Sequence, residues 1–524
     1  MADTKPRTGK LTPDEIELNW YHHHYRGDSM KQLTSRAVLM GSLLGAVMSV
    51  SNIYIGLKTG WGFGVAITAC VLSYAIWKSL MKARIAKSEM TVLENNAMQS
   101  TASAAGYSTG GTLVSAIAAY VLINEQHIPY GWLTAWIFFL AVLGVTMAIP
   151  MKRQMINTER LPFPSGIAAG LTLRSLHADY DHKPALERPV VAGVGELAED
   201  LEDRATEPDA ALDLEGAMTS EEQGQKSANA LFGAGAIGGL IAILHEIGTT
   251  LHDIGLVKKP FTILDYTYPI FGKRAANFTV EIEGSLLLVA GGMLMGLRVA
   301  ASVFLGSILC WMVFVPWMHN IGVIESLNYR DMVSWSLWGG AACMVTSGLT
   351  AFAMQWKAVA RAMKGITDIF KLRSKQVEVT EASVLDRIEV PPAWFATGGT
   401  VGAVGVIVIA MLIFDMPLWM GLLAVIMSFF LALVACRVAG ETDVTPVGAM
   451  GKVTQLFYGA IARGQTNINL MAACITAGVA DSASDLLIDL KSGYVLGANP
   501  RKQFLAQFSG IFVGTLVTVP LFYL

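Results

Sequence analysis

Charge is what this chain has least of. Only 15% of its 524 residues are Asp, Glu, Lys or Arg, where a soluble domain carries about 25%. With 53% hydrophobic residues and a mean hydropathy of +0.48, that deficit argues against an ordinary soluble protein and points to a lipid bilayer. A net charge of −3 offers no basic surface for a nucleic-acid partner. Cysteine is scarce too. Cys70, Cys310, Cys343, Cys436 and Cys474 all fall inside apolar runs with no CxxC pair, so neither disulfides nor a zinc site is expected. The polar first 32 residues lack an apolar core with a small-residue cleavage site, so no removable signal peptide is expected. Hydrolase motifs are missing as well: His245 and Glu246 end one apolar run, but there is no GxSxG or HExxH. The piece GAMGKVT is not a phosphate loop, because Pro446 takes the first required glycine position and Val453 replaces the Ser or Thr.

What the chain does have is long apolar runs. A membrane span needs about 20 mostly apolar residues. Clear candidates are 37–57, 62–81, 131–150, 228–247, 299–318, 335–356, 394–414, 417–438 and 503–524; shorter or more polar ones are 91–123, 162–176, 283–297, 442–460 and 467–489. Lipid forces backbone groups to bond within their own segment, so the expected fold is an all-α polytopic membrane helix bundle of about 12–14 segments. Lysine and arginine cluster in the N-terminal tail (Lys5, Arg7, Lys10, Arg26, Lys31, Arg36) and after the second run (Lys78, Lys82, Arg84, Lys87), placing the N-terminus in the cytoplasm. The basic loop 357–391 belongs on the same side, and the acidic stretch 177–226 reads as a solvated linker. Between Lys152 and Glu325 an odd number of segments must cross. Either 162–176 or 283–297, each too short to span, is then a re-entrant hairpin or half-helix.

Polar residues inside such runs carry the functional signal. In ENNAMQSTASAAG (94–106) seven of thirteen residues are polar, with Asn96, Ser100 and Ser103 on one helical face and Gln99 beside them. These groups both donate and accept hydrogen bonds, as a peptide-like ligand requires; the alternative is hydrogen bonding between helices for assembly. The following YSTGG predicts a break in the helix, as in transporter sites. The Pro/Gly-interrupted GETDVTPVGAMGKVTQ fits the same half-helix pattern. In SNIYIGLKTGWGFG, Lys58 reads as an interfacial snorkel. Further on, Asp481, Asp485 and Asp489 share one face at i, i+4, i+8. For a helix starting near Asn467, Asp481 lies about 21 Å in, where a carboxylate must be paired, solvated or protonated. Asp481 is thus the leading proton carrier, while Asp485 and Asp489 are expected to meet interfacial water and Lys491. The three histidines of WYHHHYRGD (20–28) read as interfacial belt residues rather than a metal site.

Five blocks taken in order, SNIYIGLKTGWGFG, ENNAMQSTASAAG, LPFPSGIAAGLTLRS, GETDVTPVGAMGKVTQ and LKSGYVLGANPRKQF, resemble the oligopeptide transporter (OPT) family, which includes the yellow stripe-like metal-chelate carriers. The similarity runs from about residue 33 to the C-terminus. It implies a secondary transporter driven by the proton gradient that imports small peptides or metal complexes of amino-acid-like chelators. The NPG and KIPPR motifs of the peptide-transporting eukaryotic branch are absent, which sets the likeness on the prokaryotic and yellow stripe-like side. Members usually continue past the 490–504 block with several more helices, where this chain has one, so a truncated, non-transporting member is an alternative expectation.

The combined expectation is a proton-coupled symporter of the inner membrane, with 1–32 as cytoplasmic tail and 33–524 as a single transporter domain. A polar cavity from 94–106, 161–170, 442–455 and 481–489 would hold the cargo. Asn95, Asn96, Gln99, Ser100, Ser103, Tyr107, Ser165, Lys452 and Gln455 would contact it; Asp481, Glu94, Glu441 and Asp485 would carry the proton. The expected partners are a small peptide or metal–chelate substrate, protons, the lipid bilayer and other copies of the chain in a homo-oligomer. No cofactor and no resident metal are expected, since any metal would arrive within the substrate. The rival is a channel-like pore for small polar solutes, whose flux would not saturate.

Overall fold

The computed structural model describes Glu17, residues 20–59, 62, 64–177, 269–270, 273–280, 297–354 and 388–524, with isolated positions between 226 and 292. The body of the acidic stretch 177–226, the basic part of 357–391, and most of 228–247 and 283–297 lie outside the described residues, as does the side chain of Lys58. Among the described residues seven helices are long and apolar enough to cross a membrane: Ser35–Leu57, Tyr130–Thr158, Ala300–Asn320, Pro392–Ile413, Leu418–Thr442, Thr466–Val495 and Pro500–Tyr523. The expectation of an all-α membrane bundle is met. Among the described residues the one β ladder pairs Pro269–Ile270 with Lys273–Arg274.

Contacts divide the chain into two compact units, residues 1–228 with 352–524, and residues 229–351. The first contains α1 (Ser35–Thr59), α2 (Ala66–Lys82), α3 (Val92–Ser103), α4 (Ala118–Asn124), α5 (Tyr130–Lys152) and α6 (Pro164–Leu176). The second holds α7 (Leu297–Ser307), α8 (Val315–Asn320) and α9 (Tyr329–Met354), with Phe278, Val315, Ile324 and Met332 packed as its small core. Back in the first unit follow α10 (Pro392–Ile413), α11 (Leu418–Thr442), α12 (Val447–Ile461), α13 (Thr466–Val495) and α14 (Pro500–Tyr523).

Local chemistry sets the helix starts. Thr91 and Glu94 form a reciprocal capping box at α3: Glu94 N donates to Thr91 Oγ1 (3.1 Å) and Thr91 N to Glu94 Oε2 (3.0 Å). Proline opens α6, α10 and α14, where its missing N–H costs nothing. Asn499 also caps α14, its Oδ1 accepting from Arg501 N and Lys502 N.

α3 and α4 are two halves of one interrupted helix. A wider π turn (Ala104–Ser108), a break at Thr109–Thr112 and a second π turn (Leu113–Ile117) separate them. The break falls where YSTGG predicts it. α6 has 13 residues and so reaches only about 20 Å, consistent with a half-helix.

α13 is the axis of the first unit. It packs on α11, α5, α12, α6, α14 and the interrupted helix, and 89% of its apolar window is buried. The polar segment 467–489, weak as a span by composition, is therefore the core of the longest helix among the described residues. α3 is held between α1, α2 and α14. Two GxxxG pairs grip it from neighbouring helices: Gly41 and Gly45 on α1, Gly510 and Gly514 on α14. A Cβ at Gly41 would stand 2.5 Å from the Met98 carbonyl oxygen, and one at Gly510 2.2 Å from that of Thr101. No side chain larger than hydrogen fits at these crossings.

Candidate functional site

Four-residue spacing recurs on both sides of the α3–α13 contact, and the two ladders meet. Asp481, Asp485 and Asp489 rise along α13 at about 6 Å per step. Tyr107, Ser103 and Gln99 descend the facing helix with the same spacing. Gln99 Nε2 donates to Asp489 Oδ1 (2.5 Å), Ser103 Oγ donates to Asp485 Oδ1 (2.8 Å), and the Tyr107 hydroxyl bonds Asp481. A fourth rung continues the register, with Ser492 Oγ 2.8 Å from Asn96 Oδ1. The result is an antiparallel polar seam through the middle of the bundle.

α14 closes the seam with two glutamines one turn apart. Gln507 Nε2 donates to Asp485 Oδ2 (3.1 Å), while Gln503 Nε2 donates to Ser100 Oγ (2.9 Å) and to the Asp489 carbonyl (2.5 Å). At the other end, the Asp481 carboxylate lies over the helix break, where a Cβ on Gly111 would be 2.7 Å from its Oδ2. Glycine at 111 is what lets the carboxylate reach that backbone. Asp481, Asp485 and Asp489 are 6%, 7% and 1% exposed. The expectation that Asp485 and Asp489 reach interfacial water is thus corrected: α3 and α14 cover that face. Among the described residues no cation pairs with any of the three. Lys491, also buried, has its Nζ 5.5 Å from the Tyr494 ring centroid.

Several expected site residues lie elsewhere. Asn95 bonds Ser73 of α2. Glu94 is enclosed by Arg36 (2.6 Å) and Thr34 (2.8 Å) as well as its capping box, a set of contacts that anchors the start of α3. Ser165 donates through N and Oγ to Asp443, which caps α6. Glu441 lies 3.3 Å from Arg437 at the exposed end of α11. Lys452 is half-buried and Gln455 exposed on α12, which packs on α13 and α11 rather than on α3. Two residues that the sequence reading missed, Gln503 and Gln507, belong to the seam. Their i, i+4 spacing at the start of an otherwise apolar span was the signal available.

Charges at the helix ends follow a different rule. Arg153 holds Glu17 (2.8 Å), Lys152 holds Glu389, and Arg437 holds Glu159. Asn157 joins the first two pairs through both carboxylates. Trp20 stacks on Tyr494 at 4.8 Å and donates to its carbonyl, fastening the N-terminal segment over the end of α13. Nearby, burial and the Asp28 carboxylate push the Tyr25 phenol up, keeping it a hydrogen-bond donor. At the opposite end of α13 a cavity of about 500 Å³ opens between Asn124, Asp415, Gln465 and Asn467.

Residues 32–524 match the family described as OPT oligopeptide transporter protein. A putative oligopeptide transporter of Saccharomyces cerevisiae is 26% identical over 556 residues, covering 92% of this chain and 76% of the relative. Metal-nicotianamine transporter YSL1 of Arabidopsis thaliana is 24% identical over 534 residues, covering 94% and 72%. A putative oligopeptide transporter of Haemophilus influenzae is 26% identical over 503 residues, covering 89% and 69%. Matched along nearly its whole length, including every residue of the seam, the chain belongs to the OPT oligopeptide transporter family.

Proposed function

We propose that the protein is a secondary active transporter that couples proton entry to the import of small oligopeptides or metal–chelate complexes across the inner membrane, with its N-terminus in the cytoplasm. The observation that carries this reading is the seam itself: three buried carboxylates whose partners are neutral donors. An acid that meets only hydroxyls and amides can take or lose a proton without leaving a stranded base behind. Asp481 and Asp485 are the carriers in this reading. Asp481 sits at the helix break, where irregular backbone is tolerated because it is buried in protein or lines a cavity.

Asn96, Gln99, Ser100 and Ser103 hold the α13 acids or their neighbours in this conformation. Cargo then reaches these groups when α13 and the interrupted helix move apart, as alternating access requires. The cargo class follows the printed names of the relatives, which are oligopeptide and metal-nicotianamine transporters. The cytoplasmic N-terminus follows the basic residues at the ends of α2 and α5 and at the start of α14.

Proteoliposomes containing the purified chain test the reading, with a panel of di- to pentapeptides and iron chelates. Uptake is expected to saturate, to rise with an inward proton gradient, and to lose that dependence in Asp485→Asn. Uptake indifferent to the gradient would remove the proton from the mechanism, and flux that never saturates would favour a channel.

A further inference from the structure

The contact between the interrupted helix and α13 continues past Asp481. Gly478 lies against Thr112, where a Cβ would be 2.8 Å from the threonine methyl carbon. The last rung is a pair of amides: Asn124 Nδ2 donates to Asn467 Oδ1, and Asn467 Nδ2 donates to Asn124 Oδ1, both at 3.0 Å. Asn467 and Asp481 are about 21 Å apart along the helix. The N-terminal segment stacks on Tyr494 at the far end of α13, so a cytoplasmic N-terminus puts the amide pair at the outer face. These are the two helices that part in the transport reading above, so the pair breaks whenever this end opens.

Both asparagines line the cavity of about 500 Å³, together with Phe414, Asp415, Gln465 and Thr466. Small-molecule pockets run from about 300 to 1,000 Å³, so this volume suits a di- or tripeptide. No Lys, Arg or His lines the cavity, and among the described residues no base pairs with Asp415. One turn before Asn124, Tyr120 packs edge-on against Phe414 at 5.2 Å, and its hydroxyl feels the Asp415 charge. The carboxylate is thus on the α4 side, near the amide pair. Both α4 and α10 end at the cavity, while α11 and α13 start there, so helix-end partial charges of both signs meet and largely cancel. Asp415 therefore sets the sign of the site.

We propose that this cavity is the outer entry site for cargo and that it selects small peptides with a free amino terminus. Asp415 pairs with the α-ammonium group, and Asn124 and Asn467 exchange their mutual bonds for bonds to the first peptide group. The inference rests on the transport reading and narrows its cargo to peptides. A peptide group donates and accepts as an asparagine amide does, so it takes over both bonds and leaves no polar group unpaired. Binding then releases the last rung of the α13 contact, which couples arrival of cargo to opening of that end. An amino-acid chelate whose nitrogens are bound to metal presents neither a free ammonium nor a peptide group.

The test is equilibrium binding of tritiated trialanine to the purified full chain in a detergent without amine groups, with unlabelled trialanine and N-acetyl-trialanine as competitors. Saturable binding is expected, with the free amine preferred about three- to fivefold, as suits an ion pair at an exposed carboxylate. Asp415 has φ 52°, a left-handed conformation that asparagine also adopts, so Asp415→Asn removes the charge without straining the turn. That variant should bind both peptides equally. Asn467→Ala should weaken both while keeping the preference for the free amine, and Glu89→Gln, at an exposed carboxylate, should change neither. Absence of saturable trialanine binding by the wild-type chain would overturn the proposal, as would a free-amine preference that survives Asp415→Asn. Chelate uptake driven by a proton gradient would leave the transport reading standing in either case, so the two failures are distinguishable.

Discussion

Glu17, Glu94, Glu159 and Glu389, near the helix ends, each have a base; along α13, a few turns deeper, Asp481, Asp485 and Asp489 have none among the described residues. Both sets are largely buried, so the difference lies in what neutralises them. At the ends an acid and a base are fixed together, and removing either strands the other. In the seam, hydroxyls and amides surround the acids, and these serve a neutral acid as well as a carboxylate. The first arrangement locks the fold; the second leaves a group whose charge can change while the fold stays.

The largest way to break that contrast is at the paired end. Lys152→Met leaves Glu389 with Asn157 but without its cation, and should cost about 3 kcal/mol in thermal or denaturant unfolding. Adding Glu389→Gln should recover most of the loss. A packing change comes next. Gly510→Val drives a side chain into the Thr101 carbonyl and should cost about 1–3 kcal/mol, read as lowered Tm and reduced yield of monodisperse protein.

Inside the seam the same deletion of charge should hardly touch stability. Asp485→Asn keeps Ser103, and Gln507 can turn its unpaired oxygen to meet the new amide, so the cost should stay below about 1 kcal/mol. Gradient-driven uptake should nevertheless fall to the rate without a gradient. The smallest stability effect is expected for Tyr107→Phe, about 0.5 kcal/mol for one hydrogen bond, with the change appearing instead in the apparent affinity for cargo. Should Asp485→Asn prove as destabilising as Lys152→Met, the two regions would not differ in kind.

Much of this was legible along the chain. Low charge and long apolar runs determined a membrane helix bundle, because lipid leaves the backbone no other way to satisfy its polar groups. The YSTGG break and the four-residue spacing of Asp481, Asp485 and Asp489 are local properties of one segment, and they stand in the structure as read. Partner choice was not legible. Gln99 meets Asp489 across 390 positions of sequence, and the register that also joins Ser103 to Asp485 is set where Gly41, Gly45, Gly510 and Gly514 let three backbones approach. Spacing says which residues share a face, but only packing decides what that face meets. For the same reason Glu94, which in sequence resembles the other buried acids, is tied to Arg36, and Gln503 and Gln507, which look incidental in an apolar run, complete the seam.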